Sequence, residues 1–223
     1  MDRPSIITFD CYGTLVDWRQ GIVDAFAAEA SSRGWSFDED EILALHAEIE
    51  PVVQEQSYVP YNIVLQQVAQ GILERLGGDA DDEAGSFLAE SVPAWPVFPD
   101  TNAALEALVG AGYRLGILSN IDNDLFLATR GLFTVDFDLV VTAEQVRSYK
   151  PAAGHFDVAR SELGDTPWLH AAQSYFHDVV PARTHGIPVV WVNRLFESAS
   201  GDVVPDHEVS DMEDFAAWAC SLE

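Results

Sequence analysis

The chain predicts an α/β protein: a Rossmann-like, doubly wound parallel sheet core with an inserted all-helical cap domain. Three observations carry that expectation. A short apolar run, Ile6, Ile7 and Phe9, opens the chain and stops at Asp10, the pattern of a strand buried on both faces. Residues 18–91 then carry no strand signal of any strength. From residue 100, helical and apolar strand segments alternate, as in a parallel sheet with helices on both faces. The expected core is therefore 1–17 with 95–223, and the expected cap is 18–94.

Within the cap, Ile22, Phe26, Ala27 and Ala30 repeat at helical spacing until Gly34, a residue suited to ending a helix. Asp38 and Glu41 make a capping-box-like start for a helix over 41–56, bent at Pro51. Pro60 opens a third helix, with Leu65, Val68, Ile72 and Leu76 on one face and Gly77-Gly78 at its end. A fourth covers 82–91, and Pro93, Pro96 and Pro99 mark the return to the core. In the core the expected order is helix 101–110, strand 113–118, helix 123–131 and strand 137–141. Helix 153–163, strand 168–172, helix 178–185, strand 188–192 and a last helix from Asp211 complete it.

Charge bounds the partners. Asp and Glu number 37 against 11 Lys and Arg, a formal charge of −26, which argues against nucleic-acid binding. Either a salt-rich solvent, where screening acts over ~3 Å at 1 M, or a lysine-poor genome accounts for such a surface. No apolar run approaches the ~20 residues that span a bilayer, and the first residues lack a signal-peptide pattern. The expectation is a soluble cytoplasmic protein without a membrane partner, for which a homodimer is allowed. Cys11 and Cys220 are the only cysteines, too few for a disulfide framework or a thiolate metal site. Cys11 packs beside Asp10.

The chemistry-bearing residues stand at strand ends. Asp10 closes the first strand, where open α/β sheets bind ligands, and Gly13 lets the chain turn beside it. Taken alone, Asp10 and Thr14 also read as a capped turn. Ser119-Asn120 follow the second strand; they cap the next helix, form an anion site, or do both. Lys150 precedes Pro151 and is the only lysine among ten arginines. Beside Asp10, its compact charge would keep the carboxylate ionised. Asp178 lies after the strand 168–172, either beside Asp10 or as the cap of the helix it precedes.

The run Asp10-Cys-Tyr-Gly-Thr-Leu-Val16, with Ser119, Lys150 and Asp178 in order, resembles the haloacid dehalogenase superfamily over nearly the whole chain. Tyr12, Ser119-Asn120, Lys150-Pro151 and the Gly-x-Pro-x-x-Trp-x-Asn-Arg pattern at 186–194 are similar to its 2-haloacid dehalogenase branch. The superfamily's phosphatases normally carry an aspartate at the position of Tyr12. The resemblance implies that Asp10 is the nucleophile, forming an aspartyl ester with a small anionic 2-haloacid. Thr14 would orient it, while Lys150 and Asp178 would position or activate the hydrolytic water. Ser119 and Asn120 would hold the substrate carboxylate, with Cys11, Tyr12, Ser174 and Tyr175 as further substrate contacts. No Arg or Lys lies between Arg33 and Arg75, so Arg19 or His46 would replace the family's halide-binding cap arginine. Gln173 and Tyr175 stand where the family has Ser and Asn. No cofactor is implied. The alternatives are a Mg²⁺-dependent phosphatase using Asp10 and Asp178 as metal ligands, and a weakly catalytic protein that binds a small acid.

Overall fold

The computed structural model describes residues 3–55, 57–78 and 85–222. Six strands form one parallel sheet: β1 (Ile6–Phe9), β2 (Arg114–Ser119), β3 (Leu139–Thr142), β4 (Trp168–Ala172), β5 (Val189–Val192) and β6 (His207–Val209). Their spatial order is β3-β2-β1-β4-β5-β6. The chain thus builds outward from β1 in one direction, then returns to its other side with β4. That reversal opens a crevice at the C-terminal end of β1, the usual ligand position in such sheets. All four residues of β1 are fully buried, as expected of a strand covered on both faces.

Alternation along β1 sends neighbouring side chains to opposite faces. Phe9 meets Phe215 of α10 (Met212–Cys220) edge-on, with ring centroids 5.6 Å apart. Thr8 is in register with His170 of β4, whose ring meets Phe156 of α8 (Gly154–Leu163) at 5.4 Å. The helix α5 (Thr101–Gly110) packs on α10, so both faces of the sheet are flanked. Two further helices of this unit, α7 (Ala143–Val146) and α9 (Val180–Thr184), are short.

The chain divides into two compact units: residues 1–17, 97–120 and 131–223 form one, and residues 18–96 with 121–130 form the other. The second unit contains α1 (Trp18–Arg33), α2 (Glu39–Gln54), α3 (Tyr61–Arg75), α4 (Ser86–Ser91) and α6 (Asn123–Arg130). Gly34, at φ +71°, follows α1, and Asp38 caps α2 through the Glu41 N–H at 3.0 Å. Pro51 lies inside α2. Gly21 sits within α1 because a Cβ there would be 2.3 Å from the Trp95 ring. The helix expected over 82–91 starts outside the described residues.

Residues 121–130, read from sequence as core, group with the helical unit for a specific reason. The buried Asp122 carboxylate accepts the N–H groups of Tyr61 and Asn62 at 2.7 and 2.8 Å, capping α3, which Pro60 does not cap through a side chain. An acidic cap satisfies orphan donors and complements the helix dipole. Strand β6 was not expected from the sequence; it pairs parallel with β5 at the sheet edge. Among the described residues, no helix is long and apolar enough to cross a membrane.

Candidate active site

Asp10 leaves β1 at its C-terminal end, and Gly13 at φ +104° turns the chain back. That turn brings the Thr14 hydroxyl to 3.1 Å from Asp10 Oδ2. The Gln173 N–H donates to the same hydroxyl at 2.9 Å, so the Thr14 proton is directed at the carboxylate. Lys150 Nζ donates to Asp10 Oδ1 at 2.9 Å, to Asp178 Oδ1 at 2.5 Å and to the Leu118 carbonyl at 2.8 Å. An ammonium has three protons, and these three acceptors use them all. Lys150 is 1 % exposed, against 7 % for Asp10 and 1 % for Asp178. The only lysine of the chain is therefore its most deeply paired cation.

The two carboxylates are not equivalent. Burial raises the Asp10 carboxyl above its ordinary value; Lys150 opposes this and Asp178 adds to it. Burial acts the same way on Asp178, but Lys150 and the His170 hydrogen bond outweigh it, and its carboxyl is pulled down to about 2. Burial would lower Lys150, yet the two carboxylates beside it leave its ammonium more strongly held than usual. Ionised Asp178 and a charged Lys150 thus frame Asp10, the group that takes up a proton first as pH falls.

Other expected site residues take different places. Asn120 Oδ1 accepts the Lys150 N–H at 2.7 Å and its Nδ2 donates to the Lys150 carbonyl at 3.2 Å. This two-point clamp fixes the Lys150 backbone. Ser119 Oγ is buried without a hydrogen-bond partner, and the Ser119 carbonyl pairs with His155 Nε2 at 3.0 Å. Cys11 is fully buried, and burial followed by the Asp10 charge keeps its thiol protonated. Tyr12 is half-buried beside the turn.

Ser174 and Tyr175 have structural partners that the sequence did not reveal. Ser174 Oγ accepts the His177 N–H at 3.1 Å and caps the π-helical turn Tyr175–Val179. Asp178 consequently lies inside that turn, and the cap reading of Asp178 does not hold. Tyr175 belongs to the hydrophobic core with Val179, Ala182 and Trp191, and its hydroxyl donates to the Val203 carbonyl at 2.7 Å. In the helical unit, Arg19 is exposed with its guanidinium over the Trp18 ring. His46 is buried against Trp18, and burial lowers its pKa, so it offers no charge to a halide.

Sequence reasoning missed a supporting layer. His170 Nε2 lies 3.0 Å from Asp178 Oδ1, and its Nδ1 lies 2.9 Å from Thr8 Oγ1. Trp191 donates to the Gln173 carbonyl at 2.7 Å. Arg194 donates to the Thr14 carbonyl at 3.0 Å and forks onto Asp100. The signal for this layer was a polar residue inside each of two apolar strands, Thr8 and His170, since buried polar groups require partners.

A family model described as haloacid dehalogenase-like hydrolase matches residues 4–171, which include Asp10, Thr14, Ser119 and Lys150. The chain belongs to the haloacid dehalogenase-like hydrolases. It is 30 % identical to an (S)-2-haloacid dehalogenase of Xanthobacter autotrophicus over 219 residues, covering 89 % of this chain and 81 % of that one. An (S)-2-haloacid dehalogenase of Pseudomonas putida is 26 % identical, covering 95 % of each chain. The solved L-2-haloacid dehalogenase of Xanthobacter autotrophicus with chloropropionic acid covalently bound shares the fold at a TM-score of 0.83. It is 22 % identical, with 99 % of this chain and 100 % of that one covered.

A hard divalent cation takes six or more oxygens. Among the described residues, no group of three or more His, Cys, Asp or Glu is placed to hold a metal.

Proposed function

We propose that this hydrolase removes halide from small 2-haloacids through an ester on Asp10, without a metal. The observation that carries the reading is the Asp10 carboxylate gripped by Thr14 and Lys150, with Tyr12 two residues on. A phenol of pKa near ~10 is a poor acid for an alkoxide leaving group, whereas halide leaves without a proton. The names of the relatives point the same way.

In the first step an Asp10 oxygen attacks the carbon bearing the halogen. The carbon–oxygen bond forms as the carbon–halogen bond breaks, and halide leaves with the bonding pair. Thr14 and Lys150 hold the nucleophile in line. The unpartnered Ser119 hydroxyl binds the substrate carboxylate, and Lys150 supplies attraction within a chain of formal charge −26. Water then attacks the ester carbonyl carbon of Asp10, passing a proton to Asp178 Oδ2. The bond from that carbon to the ester oxygen breaks, and the 2-hydroxyacid departs carrying that former Asp10 oxygen while the water oxygen stays in the Asp10 carboxylate. Of the two water protons, one ends on the product hydroxyl and the other in solvent.

Halide and phosphate release from a panel of 2-haloacids and phosphate esters, with and without EDTA, tests this. Halide release that persists in EDTA, with negligible phosphate release, is expected. Mg²⁺-dependent phosphate release without halide from any 2-haloacid would overturn it.

A further inference from the structure

His170 is fully buried and stands directly across the sheet from Thr8, also fully buried. Space for Thr8 comes from Gly116 on its other side, where a Cβ would approach Thr8 Cγ2 to 3.1 Å. Trp168 Nε1 donates to Thr8 Oγ1 at 2.6 Å, Thr8 Oγ1 lies 2.9 Å from His170 Nδ1, and His170 Nε2 lies 3.0 Å from Asp178 Oδ1. An indole N–H can only donate, so Thr8 Oγ1 is the acceptor there. The hydroxyl's own proton has two acceptors to choose from: His170 Nδ1, or the Leu169 carbonyl at 3.5 Å. The latter is too long for a good O–H···O bond. With Nδ1 accepting, the ring proton sits on Nε2 and is donated to Asp178. The donors therefore run one way, Trp168 to Thr8 to His170 to Asp178, each bond polarising the next.

We infer that His170 is a positioning residue, held as its Nε2–H tautomer by Thr8 and Trp168, which commits Asp178 Oδ1 and leaves Oδ2 alone to receive the proton of the hydrolytic water. Asp178 Oδ2 is indeed buried without a partner, while Oδ1 takes both His170 and Lys150. Without the His170 donor the carboxylate is free to turn about its own bond, and both oxygens compete for Lys150. The hydrolytic half-reaction suffers and the alkylation of Asp10 does not. The second half of this inference rests on the proposed dehalogenase reading; the tautomer does not.

Two measurements separate them. In substrate-free protein labelled with ¹⁵N-histidine, His170 is expected to show an unprotonated Nδ1 and a protonated Nε2, and Thr8→Val to lift that preference. A protonated Nδ1 would overturn the tautomer assignment. With a 2-haloacid, His170→Leu is expected to keep the first-turnover burst of halide while kcat falls about 10- to 100-fold, on the scale of a misplaced catalytic group. Ester on Asp10 then accumulates and is visible by mass spectrometry. His170→Gln, whose amide N–H reaches the Nε2 position, is expected to restore most of kcat. Equal loss of burst and kcat in both variants would overturn the positioning role. Absence of halide release from wild type would overturn the dehalogenase reading and with it the hydrolytic role, while the NMR result still decides the tautomer.

Discussion

Replacing Lys150 with Met removes the shared cation but keeps a long apolar side chain. Asp10 and Asp178 both lie against the same nitrogen, so their facing oxygens are within about 5.5 Å, and at an effective dielectric of about 20 their mutual repulsion is ~3 kcal/mol. That repulsion raises the carboxyl that ionises second, on top of the rise burial already gives Asp10. Breaking a buried pair costs ~3–5 kcal/mol, and the Leu118 carbonyl loses a donor, a cost of ~1 kcal/mol that does not vary with pH.

The sign of the pH dependence follows from linkage. In the variant, Asp10 has a folded pKa above its unfolded value, so the folded state holds the extra proton and stability falls as pH rises between the two, by ~1.4 kcal/mol per pH unit. In wild type, Asp178 is lowered to about 2; its contribution is complete above the unfolded value of ~3.9 and is lost only as pH falls towards 2. It is therefore constant across pH 5 to 7. Burial raises Asp10 in both proteins and loss of Lys150 raises it further, so the stability deficit of Lys150→Met should grow as pH rises, by ~3 kcal/mol at most. Urea unfolding at pH 5, 6 and 7, followed on the transition of the sheet-containing unit, measures it. A deficit constant to within ~0.5 kcal/mol would mean that the carboxylates do not share this cation.

Asp10→Asn should abolish turnover while leaving the thermal midpoint within a few degrees, because an amide oxygen is a far weaker nucleophile than a carboxylate; steady-state activity without deamidation, checked by mass spectrometry, would refute the assignment. Tyr175→Phe should cost ~1 kcal/mol through the lost bond to Val203 and leave kcat/KM within about twofold. A larger kinetic effect with intact stability would return Tyr175 to the substrate site.

The fold was legible wherever apolar runs and turn residues agreed. Helix 101–110 and strand 168–172 have the bounds read from sequence, since each is a strong periodic or continuous apolar segment. Strand β6 was not legible: His207-Glu208-Val209 is three residues long, partly solvated and polar, so neither alternation nor an apolar run marks it. Asp122 lies just before the expected helix 123–131 and carried no signal, and only folding brings it to α3, some sixty positions earlier. The residues of the candidate site stood out because Asp10 and Ser119 stand at the ends of β1 and β2 and Lys150 is the chain's only lysine. The hydrogen bonds of Asn120 to Lys150 and of Ser174 to His177 were not legible, because spacing places a side chain and does not say which neighbour takes its hydrogen bonds.

The bonding of the two carboxylates argues against exchanging the roles proposed for them. Asp178 is the more firmly ionised, which taken alone would make it the better nucleophile at low pH. Yet its Oδ1 is saturated by two donors, and the π-helical turn holds it at 1 % exposure. Each Asp10 oxygen takes one donor, Lys150 on one side and Thr14 on the other, and so retains a lone pair for attack in a fixed orientation. The backbone carrying Thr14 is itself gripped by Arg194, and Gln173, which orients the Thr14 hydroxyl, by Trp191. The tryptophan and arginine of the C-terminal pattern, in and just after β5, thus act on the turn after the first strand, and what they hold still is the proton that Thr14 gives to Asp10.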